Sequence, residues 1–252
     1  TSVSSADVAA APTAEGSPTV IGTNNQEQGV DEADLVKSDG RRLVSLINGV
    51  LRVVALDDTP AIDGTLDLSA RGATEMFLRG DTVLVLGTTY GGDGSTMAPR
   101  FVVSTTLTTV SITDPAAPAI SAQADVEGSL VTARDQGGRA RVVVQGTPVG
   151  LEQLSMSGSR DAATAVVERL SAEDLLPRAA IAGRVEPIGG CADVMVPLTT
   201  SVAPVGDERY APTTGLSTVT VLTVGDDLGD LAPTSIQGSA ATVYASADSG
   251  DS

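Results

Sequence analysis

A repeat of short apolar runs and glycine turns constrains the fold of this chain more than any other feature of its sequence. Each of three units contains a glycine turn, an apolar run, and a second apolar run that ends in a polar turn. Gly40, Gly80 and Gly138 occupy the same place in the three units, where a tight hairpin needs a positive φ. An aspartate that can cap local backbone N–H groups follows each second run: Asp57, Asp114 and Asp226. The repeat predicts antiparallel strands.

Each unit can be extended to four strands, which predicts the four-stranded antiparallel blades of a β-propeller. The blades would span about residues 31–70, 73–126 and 127–238, and a fourth would open at residues 240–252. In the third unit, for example, we expect strands at about 130–134, 140–145, 218–224 and 234–237. A stacked solenoid is the competing architecture, because its repeats also bury their faces against neighbours. Since rings have typically four to eight blades, the predicted ring is incomplete, and missing sequence or another chain would complete it.

The composition agrees with an all-β chain. Hydrophobic residues make up 41% of the sequence but aromatic residues only 2%, and tryptophan is absent. Valine, leucine, isoleucine and alanine must therefore fill the core, and β-branched side chains suit a pleated, half-buried surface.

A long insertion, residues 147–216, interrupts the third unit. Residues 161–170 predict a short helix with three side chains turned inward: Ala165, Val166 and Leu170. Ser171 and Asp174 form a capping-box pattern before a second turn that Pro177 ends. Long loops on one face of a propeller often bind ligands, whereas the alternative is an insertion that packs on a blade edge. A second, glycine-rich loop is expected at residues 88–100.

Residues 23–40, TNNQEQGVDEADLVKSDG, form a long ungapped motif. They resemble the opening signature of a bacterial family of secreted proteins with a C-terminal β-propeller domain, distantly related to WD-type repeats. Three later stretches also resemble elements of that family: AEDLLPR, the region from Cys191 to Pro197, and ATVYASAD. The resemblance covers nearly the whole chain from residue 23 but only about the first half of the family domain. It implies a propeller and an exported protein, and it implies no particular activity.

The net charge of the chain limits the partners that it can bind, and its first 22 residues indicate where the protein is located. The chain has 32 acidic and 15 basic residues, a net charge of −17, which argues against nucleic-acid binding and against docking to anionic membranes. Residues 1–22 are rich in Ser, Ala, Thr and Pro and predict a flexible lead-in, either a tether to a membrane or wall anchor upstream of residue 1 or a disordered terminus. The chain begins at Thr1 without a methionine, so we expect either a removed signal segment or a trimmed start. The expected location is secreted or at the cell surface.

Histidine is absent and there is one cysteine. A Ser-His-Asp or Cys-His nucleophile system cannot be built from this chain, nor can a His-ligated or Cys-rich zinc site. Cys191 cannot form an intrachain disulfide. We expect it to be a small buried apolar residue, the alternative being a thiol that is free or paired with a partner.

Three carboxylates crowd together in the signature: Asp31, Glu32 and Asp34. Like charges this close repel unless a cation or hydrogen-bond donors compensate. One hypothesis is a Ca²⁺ site, because calcium takes oxygen ligands, although the spacing does not match an EF-hand. The other is structural, in which the acids accept backbone N–H bonds or pair with nearby basic side chains and so lock the first blade to its neighbour: Lys37, Arg41 or Arg42.

Three functions follow as hypotheses. The first is a non-catalytic binding or scaffold module outside the cell, with a protein or glycan ligand. The second is the non-catalytic half of a secreted hydrolase whose active residues lie outside this chain. The third is a calcium-stabilised surface protein. No cofactor other than calcium is expected, and the missing catalytic residue types argue against an enzyme.

Overall fold

The computed structural model describes residues 30–91, 103–155, 157–195, 217–229 and 231–238. The predicted lead-in at 1–22, most of the glycine-rich loop and the fourth unit at 240–252 lie outside these residues. The strands are β1 (Asp31–Glu32), β2 (Val36–Ser38), β3 (Arg42–Ile47), β4 (Val50–Ala55), β5 (Ala61–Asp67), β6 (Ala73–Arg79), β7 (Thr82–Tyr90), β8 (Val103–Ser111), β9 (Ala119–Glu127), β10 (Ser129–Gln136), β11 (Arg139–Gly146), β12 (Arg178–Ile181), β13 (Arg184–Pro187), β14 (Val194–Met195), β15 (Thr218–Val224) and β16 (Ala232–Gln237). The α-helices are α1 (Val149–Ser155) and α2 (Arg160–Val167). Three 3₁₀ turns lie at Ser69–Arg71, Ala172–Leu175 and Cys191–Asp193.

Twelve of the strands form three antiparallel blades. The first blade is β2-β3-β4-β5, the second β6-β7-β8-β9, and the third β10-β11-β15-β16. The prediction of an all-β fold built from four-stranded antiparallel repeats is confirmed, and the described residues do not form a closed ring.

The hairpin turns between the first two strands of each blade carry the predicted glycines. Gly40, Gly80 and Gly138 have φ values of 84°, 55° and 81°, so the prediction of positive φ is confirmed. The aspartate turns follow the prediction in two blades: Asp57 Oδ1 accepts the N–H of Thr59 and Asp114 Oδ1 that of Ala116, both at 3.1 Å. In the third blade Asp227 caps the turn through the N–H of Gly229 (2.8 Å), and Asp226 forms an ion pair instead.

The core lies between neighbouring blades. Val44, Leu46, Leu51 and Val53 of the first blade pack against the second, whose opposite face meets the third. Successive side chains of a strand point to opposite faces, so β7 places Val83 and Val85 toward the first blade and Leu84 and Leu86 toward the third. This two-sided burial is the reason why the second blade has a continuous apolar run rather than an alternating one.

Segments outside the repeat cover blade edges. β1 pairs with β10, the inner strand of the third blade, and the backbone of Asp34 pairs with Met76 on the inner strand of the second. The insertion supplies two further additions: β12 pairs antiparallel with β9, and β14 pairs parallel with β16. Edge strands expose unpaired N–H and C=O groups. β12 and β14 of the insertion pack on such blade edges, which was one of the two hypotheses for the insertion.

The helical part of the insertion lies on the surface. Ser159 Oγ accepts the N–H of Ala162 at the start of α2 (3.2 Å). Val166 and Leu170 are half-buried, but Ala165 is exposed, so its predicted inward position is wrong, because α2 packs through a narrow stripe and buries no residue fully. Within the described ranges, no helix is long and apolar enough to cross a membrane.

Candidate functional site

Asp31 and Glu32 of the signature bind basic side chains at the inner strands of the blades. Lys37, which is 7% exposed, places its Nζ 2.7 Å from Asp31 Oδ1 and also donates to the carbonyl oxygen of Glu32. Glu32 Oε1 lies 3.1 Å from Arg134 Nη2 on β10. The structure therefore contains the predicted Lys37 pairing, and it adds Arg134, which the sequence argument did not include.

Asp34 lies beside the second blade. Its Oδ1 accepts the N–H of Leu35 (2.6 Å), and its backbone exchanges two hydrogen bonds with Met76. Glu75 is close by: burial raises the pKa of Glu75, the charge of Arg134 opposes this shift, and the charge of Asp34 adds to it. Sequence reasoning missed Glu75, although an acid on an inner strand that is otherwise largely apolar was a signal for it.

The described residues contain no group of three or more Asp, Glu or Cys side chains arranged to hold a metal ion. Asp31 and Glu32 are directed to Lys37 and Arg134, respectively. The calcium site at Asp31, Glu32 and Asp34 stays a prediction.

Two arginines at the first hairpins of their blades join neighbouring blades. Arg42 of the first blade binds Asp81 of the second and donates to the carbonyl oxygens of Gly80 (3.0 Å) and Ile112 (3.2 Å). A second bond to Asp39 (2.9 Å) holds the guanidinium of Arg42 in place. For Asp39, burial raises the pKa, but hydrogen bonds from Arg42 and Arg41 outweigh burial and leave the pKa below its usual value.

Arg79 makes the corresponding link from the second blade to the third. Its Nε lies 2.6 Å from Asp135 Oδ2, its Nη1 lies 3.0 Å from Asp226 Oδ1, and its Nη2 donates to the carbonyl of Val224 (3.5 Å). These ion pairs lock neighbouring blades together, which is the role that sequence reasoning gave to the signature acids.

A groove of about 520 Å³ opens on the outer rim between the second and third blades. One wall is β9 and the other is the loop that contains Asp227 and Leu228, while the β12–β13 turn closes one end. Its volume lies within the range of about 300–1,000 Å³ that is usual for ligand sites. The site is therefore large enough for a small molecule or a short segment of chain.

The chemistry of this rim groove comes from apolar side chains and an open strand edge. Ile120 and Ile181 line it, and at one side Arg71 Nη2 lies 2.7 Å from Asp125 Oδ1. β12 has Cα partners on β9 only at residues 124–126. Within the described ranges, residues 119–123 of β9 thus have no strand on their outer side, and residues 120–123 line the groove.

Part of this groove could be predicted from the sequence, namely the contribution of the insertion. It expected the insertion at 147–216 to form a binding surface or to pack on a blade edge, and the β12–β13 hairpin does pack on β9 while its turn lines the groove. The contribution of β9 was not visible in the sequence, because it depends on where the hairpin stops. Cys191, expected to be buried, is an exposed free thiol outside the groove. It lies in a 3₁₀ turn that buries none of its residues.

The model of the protein family described as Beta propeller domain matches residues 20–249 of the chain. No curated protein and no solved structure gives a significant match.

Proposed function

The chain belongs to the β-propeller domain family, and from that premise we propose that it is a non-catalytic binding module whose rim groove holds an extended segment of a partner protein. Propellers support many unrelated activities, so the fold alone selects none of them. The observation that carries the proposal is the unpaired outer edge of β9 at residues 119–123, which forms a wall of the groove.

An exposed strand edge can add a strand from another chain. In this mode, backbone hydrogen bonds supply affinity and pockets for alternate side chains supply specificity. Residues 119–123 read AISAQ and contain no charged side chain, so nothing at this edge opposes the approach of a strand. Ile120 and Ile181 offer apolar contacts to side chains of the added segment.

Charge indicates which segments fit. The chain carries a net charge of −17, which attracts basic partners and speeds their encounter. Asp125 is already paired with Arg71. The acid of the groove that can bind a basic partner is therefore Asp227. The partner segment is therefore extended, with apolar residues at alternate positions and lysine or arginine between them.

Export to the cell surface is part of the same proposal. It is supported by the resemblance of residues 23–40 to a signature of secreted bacterial proteins and by the Ser-, Ala-, Thr- and Pro-rich composition of residues 1–22. The absence of histidine from the whole sequence supports a binding function over nucleophilic or metal-dependent hydrolysis.

Binding of arrayed peptides and arrayed glycans to the full chain tests the groove. The peptides have about six residues, the length of a short strand, and alternate isoleucine with lysine. We expect Ile120→Lys to weaken peptide binding at least about tenfold, because one buried isoleucine contributes about 1.5–3 kcal/mol.

Ile62→Lys is the matched control, since Ile62 is an exposed isoleucine on the outer strand of the first blade, away from the groove. It should bind peptides like the unchanged chain. Equal losses in both variants would contradict the groove as the site. Binding to glycans with none to peptides would contradict an extended segment as the ligand.

A further inference from the structure

A tight turn closes one end of the rim groove. β12 ends at Ile181, which pairs with Ala124 of β9, and the chain then turns back into β13 through Ala182 and Gly183. These two residues have φ values of 50° and 79°, as the tight two-residue turns of β-hairpins require. Both line the groove. A segment that pairs with the open edge of β9 must therefore begin or end at Gln123, because β12 occupies the edge beyond it.

The direction of the segment follows from the sheet that it would join. β12 is antiparallel to β9, as is every other neighbouring pair in the sheet from β6 to β13. Antiparallel pairs are slightly more stable per residue than parallel ones. Since β9 runs from residue 119 to residue 127, an antiparallel segment starts opposite Gln123 and runs toward Ala119. Its first residue thus lies beside the β12–β13 turn.

A β-bulge makes the first residues of the segment the important ones. The pairing of β8 with β9 changes register between Ile120 and Ala122, so Ser121 is an extra residue in β9. The Ser121 hydroxyl donates to the carbonyl oxygen of Thr109 (3.1 Å). A bulge interrupts the ladder and bends its strand. Regular pairing beyond β12 is therefore confined to Ala122 and Gln123, which face the second and first residues of the segment.

The position opposite Ala122 favours an apolar side chain. Ala122 and Ile181 both pack against the apolar cluster between the second and third blades. Leu228, which is 1% exposed, belongs to the same cluster and lines the groove. Because paired residues share a face and side chains alternate along a strand, the second residue of the segment lies on this face. An apolar side chain there would extend the row begun by Ile181.

The charges near the closed end favour an ammonium group over a carboxylate. Among the described residues that line the groove, Arg71 is the basic one. It is bound by Asp125 (2.7 Å) and donates to the carbonyl oxygen of Ala124 (3.2 Å), so it is already engaged. The side chain of Asp125 is 34% exposed, and Gln123 is exposed as well. Their oxygen atoms can accept hydrogen bonds from an ammonium group, whereas a carboxylate would be repelled by Asp125.

We propose that the rim groove binds the free N-terminal end of a partner chain. The N-terminal residues pair antiparallel with β9, the α-ammonium group lies beside the β12–β13 turn, and the second side chain is apolar and packs against Ile181. This inference rests on the proposed function, because it names the part of the partner that enters the same groove. A partner with a blocked N-terminus would bind weakly.

Peptides that differ only at their ends test the orientation. The reference is Lys-Ile-Lys-Ile-Lys-Ile with a free N-terminus and a fluorophore at the C-terminus, and its binding to the full 252-residue chain is measured by fluorescence anisotropy. We expect N-terminal acetylation to weaken binding at least about tenfold, through the loss of hydrogen bonds from a charged donor. A Gly-Ser-Gly-Ser extension at the N-terminus should weaken it similarly, because the turn blocks its path. The same extension at the C-terminus should change binding less than about twofold, because the groove is open at that end.

The pH dependence identifies the group that is bound. An α-amino group titrates near pH 8, about two units below a lysine side chain. The advantage of the free peptide over the acetylated one should therefore fall as the pH rises from about 7 to 9.5. The matched control carries its acetyl group on the side chain of the last lysine. It loses the same charge at pH 7 and should bind within about twofold of the reference, because an exposed charge contributes little.

Variants of the protein test the place of the ammonium group. Gln123→Lys puts a positive charge at the closed end and should weaken the free peptide at least about fivefold more than the acetylated one. Ala119→Lys is the matched control, since it adds the same charge at the other end of the open edge, and both residues are exposed. It should affect the two peptides equally.

The outcomes separate this inference from the proposed function. Equal binding of the peptides extended at either end, or a loss on C-terminal extension alone, would overturn the N-terminal orientation while the groove still bound an extended segment. A free-peptide advantage that is the same at pH 7 and 9.5 would also overturn it. Absence of binding by every peptide would overturn the proposed function, and this inference with it.

Discussion

Replacing Arg79 by methionine should destabilise the protein more than the loss of any exposed ion pair. The side chains of Arg79 and Asp135 are 9% and 10% exposed, and the Nε–Oδ2 distance is 2.6 Å. Without Arg79, the Asp135 carboxylate would stay buried without its ion-pair partner, and it would keep the bond from the Gly138 N–H (3.0 Å). Removing one partner of a buried pair costs about 3–5 kcal/mol. In a chain of this size, that cost lowers the thermal midpoint by about 6–20 °C.

The assay is urea unfolding at pH 7 with a thermal melt of the same samples. Arg134→Met is the control, because Arg134 is 29% exposed, its partner Glu32 is 33% exposed, and such pairs contribute about 1 kcal/mol or less. Adding Asp135→Leu to Arg79→Met should restore much of the stability, since it removes the uncompensated charge. If Arg79→Met costs no more than Arg134→Met, the argument that the buried link holds the second and third blades together is wrong.

Three further changes test other parts of the structure. Lys37→Met should cost about 1.5–3 kcal/mol in urea unfolding, the contribution of hydrogen bonds to a charged group, and Lys37→Arg should not restore it because the site is buried. Gly72→Ala should destabilise clearly more than Gly80→Ala, because both have positive φ but a Cβ at Gly72 would lie 2.0 Å from the carbonyl oxygen of Thr88, whereas a Cβ at Gly80 would meet nothing within 4 Å. Burial raises the pKa of Glu75 above its usual range, so its charged form destabilises the fold at neutral pH and its neutral form does not. Glu75→Gln should therefore be more stable than the unchanged chain at pH 7, and unfolding curves should show this difference shrinking as the pH falls through the raised pKa and vanishing below about pH 4.

The blades could be predicted from the sequence because their determinants are local. A glycine with positive φ fixes each hairpin, and the apolar run on either side fixes the strands. The strand expected at 218–224 is β15 (Thr218–Val224), although a long insertion separates it from β11 along the chain. Its seven residues, TVTVLTV, are β-branched at nearly every position, which favours a strand wherever it pairs.

The additions to the blades could not be predicted, because their pairing is non-local. Nothing in residues 178–187 indicates that they extend the second blade rather than the third, within which they are inserted. The same limit applies to Arg42, one of three basic side chains offered as partners of Asp31, Glu32 and Asp34. Arg42 is bound by Asp39 and Asp81 instead. A short-range charge pattern shows which residues need partners, and only the packing of the blades decides which partners they have.

The outer strands of the first two blades differ in how their edges are protected, and the difference supports a binding function for the rim groove. β5, the outer strand of the first blade, carries Asp63 and Asp67, and its Gly64 lies against the turn at Pro115, where a Cβ would come within 2.3 Å of the Pro115 carbonyl oxygen. Charge and close cover are the usual protections of an edge. Residues 119–123 of β9 have no charge, and β12 ends its pairing with β9 at Ala124, although β9 continues. β12 already pairs with residues 124–126 of β9. A segment added at residues 119–123 would continue the same antiparallel pairing along β9.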